Sequence, residues 1–235
     1  MPDFRTRSTE DEMMDDFGLG HGIIDPIMDE LEVVNAMLGG YRVFFDAFSK
    51  IGLKEGMIIS DWGCGGGDSL RRIALWARKN NYKLNFIGID ATPAAVEYAR
   101  EKSLGFPEIT YILSDVMSDN LVTDQFDIVI SSLFTHHFKD AEWIKLIQKM
   151  SDCARSAVIV NDLHRHWFAY HSIGLLTTVF SKSEMVKHDS KVSVLRSFKS
   201  SDIKNMLFKA GIECYTLKWM WAFRWQICID SKKSN

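Results

Sequence analysis

At 235 residues, the chain can bury a substantial core as one domain with an elaboration. Lysine plus arginine total 28 against 31 acidic residues, a net charge of -3, so the basic footprint of a nucleic-acid binder is missing. The four cysteines, Cys64, Cys153, Cys214 and Cys228, form no Cys-x-x-Cys pair, which argues against a structural zinc site and a disulfide framework.

The chain opens on an acidic rather than a basic-then-apolar stretch, and no apolar run reaches the ~18 residues of a membrane span. A cytoplasmic protein is the expectation. Residues 1–20 carry Glu10, Asp11, Glu12, Asp15 and Asp16. They read either as a solvated arm or as a flap that orders over a bound cofactor, in which case Arg5 and Arg7 would meet its carboxylate. A helix follows, with Asp25 as cap, Pro26 in the first helical position and Gly39-Gly40 at its end. Ile27, Leu31, Val34 and Leu38 share one face. A second short helix is expected over 41–48, packing through Val43, Phe44 and Phe48. Tyr41, just after the double glycine, is either a cofactor contact or a core aromatic.

Residues 57–62 read as a buried strand that runs into Gly63-Cys64-Gly65-Gly66-Gly67 and then a helix from Ser69, with Leu70, Ile73, Ala74 and Ala77 as its buried stripe. Strand, glycine turn and helix make a nucleotide-cofactor loop. Glycine permits positive φ and close approach of backbone to ligand. A dinucleotide site wants Gly-x-Gly-x-x-Gly, but counting from Gly63 the last slot holds Asp68, which would repel a pyrophosphate. The pattern Asp61-x-Gly63-x-Gly65-x-Gly67 suits a ligand with a cationic amine and no phosphate.

The second strand, 84–89, ends in Asp90, and the interval from Gly67 is close to the ~20 residues expected before a ribose-binding acid. A plain turn aspartate before Thr92-Pro93 is the alternative. The third strand, 109–113, leads to Ser114-Asp115-Val116. The fourth, 126–131, is nearly all apolar, as a strand covered on both faces must be, and reaches Ser131-Ser132-Leu133-Phe134-Thr135-His136-His137-Phe138. Asp140 can cap the next helix, which packs through Trp143, Leu146, Ile147 and Met150; the fifth strand, 157–160, reaches Asn161-Asp162. This alternation predicts an α/β, doubly wound, Rossmann-like sheet, with ligands at the carboxyl ends of its strands. Gly63, Gly65, Asp90, Asp115, His136 and Asp162 all follow strand ends and should meet at one rim.

Residues 163–200 open on Leu163-His164-Arg165-His166-Trp167-Phe168 and stay apolar through Phe180; a polar segment and a β-prone run, Val192-Ser193-Val194-Leu195, follow. A long connection of this kind is often a lid, here walling a hydrophobic substrate pocket. A dimer face, making a second copy of the chain a candidate partner, or core packing is the alternative. The cationic stripe of a membrane-surface helix is absent. Ser200-Ser201-Asp202 can cap a last helix ending at Gly211. Strands are expected over 212–217 and 223–229, with 231–235 as a frayed tail.

From about residue 20 onward the glycine motif, the two acids Asp90 and Asp115, the His136-His137 segment and the terminal strand pair together resemble class I S-adenosylmethionine-dependent methyltransferases of the small-molecule type. The resemblance implies a seven-stranded sheet whose last strand is antiparallel. It implies an N-terminal arm and helical cap over 1–50, a methyltransferase domain over 51–235 and a lid over 163–200. In such an enzyme the loop from Asp61 through Gly63, Cys64 and Gly65 would hold the methionine portion of S-adenosyl-L-methionine. Asp90 and Ala91 would hold the ribose, Asp115 and Val116 the adenine, and Ser131 or Ser132 would lie beside the sulfonium. Tyr41 joins them as a cofactor contact.

The sulfonium methyl is already electrophilic, so the protein must hold a nucleophile in line and remove its proton. His136 or His164 is the expected base. No metal is expected, since His164, His166 and His171 lack a carboxylate at helical spacing. The expected reaction is methylation, by preference on oxygen, of a small apolar and aromatic acceptor, leaving S-adenosyl-L-homocysteine. A nicotinamide-dependent oxidoreductase, disfavoured by Asp68, and a catalytically inactive S-adenosylmethionine-binding protein are the alternatives. Methylation of DNA bases is not expected, because Ser131-Ser132-Leu133-Phe134 stands where those enzymes carry Asn/Asp-Pro-Pro-aromatic.

Overall fold

The computed structural model describes residues 2–16, 18–118 and 120–231; most of the expected polar tail lies outside them. Seven strands form one sheet in the order β3-β2-β1-β4-β5-β7-β6. They are β1 (Ile58–Trp62), β2 (Asn85–Asp90), β3 (Ile109–Leu113), β4 (Phe126–Ser132), β5 (Ala154–Leu163), β6 (Tyr215–Met220) and β7 (Arg224–Asp230). The first five run parallel, and β7 is antiparallel to both β5 and β6.

The period of two along each central strand splits the core. In β4, Val129 joins one cluster while Ile128 and Ile130 join the other; in β5, Val158 and Val160 face one side and Ile159 the other. Helices α5 (Asp140–Cys153) and α8 (Ser200–Lys209) cover the first face through Trp143, Leu146, Met150, Ile203, Met206 and Leu207. Helices α2 (Arg42–Ile51), α3 (Asp68–Lys79) and α4 (Pro93–Lys102) cover the second through Phe44, Phe48, Leu70, Ile73, Val96 and Ala99. The sheet is therefore doubly wound, with every parallel strand pointing its carboxyl end to one rim.

Several element boundaries differ from the sequence expectation. Helix α1 (His21–Met37) starts a turn early, capped by Gly20, and Pro26 lies inside it. The carbonyl that Pro26 leaves without an amide donor is that of Gly22, an exposed residue, so it is not buried unpaired. Asp25 is thus no cap; it faces His21 at 3.3 Å. Asp140 is the first residue of α5 rather than its cap, and Glu142 accepts the Lys139 amide at 3.0 Å. Asn161 and Asp162 belong to β5 itself, whose length is set by pairing with β7 through Leu163. The first of the last two strands begins only at Tyr215.

The largest correction is at 192–195, which is helix. After α6 (Trp167–Phe180), α7 spans Glu184–Arg196. Ser183 Oγ accepts the Val186 amide at 3.3 Å as its cap. Val186, Asp189, Val192 and Arg196 are buried at helical spacing. That periodicity outweighs the β preference of two valines.

The acidic arm is ordered against this pair of helices. The Ser8 amide bonds Leu195 O at 3.0 Å, and the Met13 and Met14 amides both donate to the Asp189 carboxylate at 3.0 Å. Arg7 lies over the Phe198 ring and donates to the carbonyls of His136, Phe138 and Arg196 and to Asp140. Arg5 pairs with Asp3 in solvent. Neither arginine lines the cavity at the rim, the place expected for a contact with a cofactor carboxylate.

Candidate functional site

β1 delivers the chain to the rim at Trp62, and Gly63, Gly65 and Gly67 then take φ values of +68°, +48° and +73°. A Cβ on Gly67 would stand 2.2 Å from the Tyr111 hydroxyl, and one on Gly63 2.2 Å from the Phe134 ring. The turn thus needs glycine both for its conformation and for space. Gly67→Ala is expected to cost at least ~1–2 kcal/mol from the left-handed conformation alone. That corresponds to a fall in melting temperature of roughly 2–8 °C, read by thermal denaturation.

Three carboxylates surround this loop. Asp61 is buried, its Oδ1 has no hydrogen-bond partner, and its pKa is raised well above the usual carboxylate value by burial and then by Asp68 and Asp90. Asp68 accepts from Tyr41 Oη at 2.7 Å and from Asn35 Nδ2 at 2.9 Å. Burial, reinforced by Asp68, pushes the Tyr41 hydroxyl pKa up. Tyr41 sits behind Asp68 and does not line the cavity.

Asp90, at the end of β2, accepts the Gly65 amide at 2.8 Å on one oxygen and the Thr92 amide at 2.9 Å on the other. Each oxygen keeps a second acceptor site. Ala91, Asp115 and Val116 line the next stretch, with Asp115 exposed and Val116 buried. At the end of β4, Ser132 lines the cavity and receives Asn161 Nδ2 at 2.9 Å. Ser131 is turned away, donating to Trp62 O at 2.9 Å, and ties β4 to β1 instead.

Past Ser132 a 3-10 turn, Thr135–His137, carries both histidines. His136 is fully buried. Its Nδ1 lies 2.7 Å from Asp162 Oδ1, and its Nε2 is 3.4 Å from Glu12 Oε1 without an aligned hydrogen bond. Burial lowers the His136 pKa, but Asp162 and Glu12 overcome it and hold the ring near 9. Asp162 also accepts from Thr135 Oγ1 at 2.7 Å and from the His136 and Leu163 amides. His137 Nδ1 meets Asp15 Oδ1 at 2.6 Å. His164 does not line the cavity: it packs on Trp225 and takes a hydrogen bond from Trp219 Nε1 at 3.3 Å, and burial lowers its pKa to about 4.

One cavity of about 1150 Å³ joins these groups. It runs from the glycine loop past Asp90 and Asp115 to His136, and is walled by Phe168, Ile173 and Leu176 of α6 and by Phe223. This volume exceeds the ~300–1,000 Å³ of a typical single-ligand pocket, as a site for both a cofactor and an acceptor requires. Among the lining residues without a site role in the sequence reading are Glu12, Asn35 and Arg224. Arg224 is buried, donates to Asn35 Oδ1 at 3.0 Å and Asn161 Oδ1 at 3.4 Å, and leaves its Nε unpartnered; burial lowers its pKa to about 10. The available signals were a lone asparagine on the apolar stripe of α1 and a lone arginine between Phe223 and Trp225.

This donor set fits S-adenosylmethionine. The orphaned Asp61 oxygen awaits a cation, and the glycine turn opens backbone to a ligand. Residues 59–157, which contain the glycine turn, Asp90, Asp115 and His136, match the family model described as a methyltransferase domain. No curated protein matches the chain in sequence. Among solved structures, the chain is similar to a protein from Methanococcus maripaludis described as a candidate S-adenosylmethionine-dependent methyltransferase. The TM-score is 0.66 and the identity 14%, over 97% of this chain and 99% of that one. It is similar to the plantazolicin methyltransferase BpumL in complex with SAH, with a TM-score of 0.63 and 15% identity over 89% of this chain and 88% of that one. A SAM-dependent methyltransferase from Aquifex aeolicus gives a TM-score of 0.58 and 18% identity over 79% and 87%. These likenesses establish the fold, and the domain match covers its glycine turn and first four strands. Residues 59–157 thus match a methyltransferase domain, and the chain as a whole has the fold of S-adenosylmethionine-dependent methyltransferases, whose cofactor its rim fits.

Proposed function

We propose that the chain transfers the sulfonium methyl group to an oxygen of a small, apolar, aromatic acceptor. Residues 1–50 would act as arm and cap on a domain spanning 51–235, and 163–200 as a lid. The observation that carries this reading is the single cavity. It joins the carboxylate-ringed glycine loop to a wall of Phe168, Ile173, Leu176 and Phe223, and His136 lines it too.

In this reading Asp61 and Asp68 attract the ammonium of the methionine portion, and Arg224, with its free Nε, attracts the carboxylate. Asp90 takes the ribose hydroxyls on its open acceptor sites, and Asp115 takes the adenine amine while Val116 packs on the ring. Ser132 lies toward the sulfonium. The acceptor oxygen sits at the Nε2 side of His136, whose orientation is fixed by Asp162. His136 is then the histidine of the reaction, and His164 supports the aromatic wall. Transfer needs the oxygen in line with the carbon–sulfur bond; the methyl moves to oxygen and the bonding pair stays on sulfur.

The test is turnover of a panel of phenols, aromatic carboxylates, amines and carbon nucleophiles, followed by S-adenosylhomocysteine release. Release with hydroxylated apolar acceptors is expected. Release only with amines would overturn the choice of oxygen, and tight NAD(H) binding without S-adenosylmethionine binding would revive the oxidoreductase.

The raised pKa of Asp61 gives a second check. A carboxyl with a raised pKa holds its proton to higher pH in the free protein, and a bound ammonium favours the ionised form. Cofactor binding should therefore release a proton and strengthen as pH rises through the free-protein pKa of Asp61. Calorimetry in buffers of different ionisation enthalpy should show this, and Asp61→Asn should remove it. A buffer-independent enthalpy in the unaltered protein would exclude it.

A further inference from the structure

We propose that Glu12, His136 and His137 form a binding site for one divalent transition-metal ion, at the acceptor end of the cavity. The ligand atoms of these three residues all lie within 4.8 Å of one another. His136 Nε2 is 3.4 Å from Glu12 Oε1, and His137 Nε2 is 3.9 Å from Glu12 Oε2. Ligands bound about 2.0–2.2 Å from a zinc-sized ion stand roughly 3.3 Å apart when tetrahedral, so closure needs only small movements. Glu12 Oε1 and His136 Nε2 are buried and have no hydrogen-bond partner. They face each other as an ion pair with no aligned hydrogen bond, and a bridging cation, displacing the Nε2 proton, would satisfy both.

The surroundings of both rings match those of metal-bound imidazoles. Each Nδ1 faces a carboxylate: Asp162 at 2.7 Å for His136 and Asp15 at 2.6 Å for His137. A carboxylate accepts only, so each Nδ1 carries a hydrogen, and each Nε2 is the nitrogen left to bind metal. Asp15 is itself held by Arg196 at 2.6 Å. The two rings stack with centroids 4.4 Å apart.

Two imidazoles and one carboxylate suit zinc, iron(II), cobalt(II) or manganese(II) rather than calcium or magnesium, which prefer all-oxygen shells. Three protein ligands leave positions open to the cavity, which all three residues line. An acceptor hydroxyl bound there would lose its proton to solvent. Its oxygen would then attack the methyl carbon as the carbon–sulfur pair returns to sulfur. That role, unlike the site, rests on the acceptor reading above, with the metal standing between His136 Nε2 and the acceptor oxygen.

The site is tested on the chelator-stripped full chain with zinc(II) and with cobalt(II) as a spectroscopic probe. One equivalent is expected to bind, and cobalt(II) should show visible ligand-field bands. His137→Gln and Glu12→Gln should each weaken binding by more than about 100-fold, and Asp15→Asn by about 10- to 100-fold, while S-adenosylhomocysteine affinity stays unchanged. The two ligand variants back each other should one fail to fold. Absence of stoichiometric binding, or binding that survives both ligand variants, overturns the site. Because no acceptor is present, that failure leaves the methyltransferase reading untouched. Methyl transfer unaffected by removal of a bound metal would overturn only the metal's role in activating the acceptor.

Discussion

Asp90→Ala is expected to weaken S-adenosylhomocysteine binding by about 100-fold or more while leaving the fold intact. The carboxylate holds the loop by accepting the Gly65 amide at 2.8 Å and braces the turn by accepting the Thr92 amide at 2.9 Å. Its remaining acceptor sites are those assigned to the ribose hydroxyls. Hydrogen bonds to a charged group are worth about 1.5–3 kcal/mol each, so losing two costs about 3 kcal/mol or more, which sets the 100-fold figure. Asp115→Asn is the control. Asp115 is exposed and contributes one bond at the outer end of the site, so about tenfold or less is expected. Calorimetric titration of both variants checks the ranking, and equal losses would contradict the assignment of ribose and adenine ends.

The second large effect is on stability. Asp162 is fully buried and accepts from Thr135 Oγ1, from the His136 and Leu163 amides and from the His136 ring. Burial raises its pKa, but these partners, His136 first, bring it below the usual carboxylate value. Asp162→Asn removes the charge and points an amide group at a set of donors. Breaking a buried pair from one side costs about 3–5 kcal/mol, or a melting-temperature fall of roughly 6–20 °C in a chain of this size. Thermal denaturation reads it, and a shift of less than about 2 °C would show that Asp162 is not the anchor of the His136 turn.

The parts of the molecule that were legible in the sequence are those whose cause is local. The glycine turn is readable because positive φ at Gly63, Gly65 and Gly67 leaves few other residues possible. Strand direction followed from the alternation of strands and helices, and strand ends placed Asp90, Asp115 and His136 at one rim. The illegible parts depend on distant partners. Glu12 meets His136 only because the arm bonds to α7, and nothing near Glu12 in the chain announces it. Arg224 and Asn35 are paired across 189 positions, and only the odd polar residue in an apolar run marks either. The valines at 192–195 favour a strand locally, and the Ser183 cap and buried stripe decide for helix. Pro26 misled for the opposite reason: proline favours a helix start, but exposure at Gly22 lets it sit inside α1.

The most direct test is a crystal structure of the chain with S-adenosylhomocysteine. The ligand's ammonium is expected against Asp61 Oδ1, both ribose hydroxyls on Asp90 and the adenine between Asp115 and Val116, with the sulfur facing Ser132 and His136. A ligand bound away from this rim, or reversed so that the adenine lies at Asp61, would contradict it.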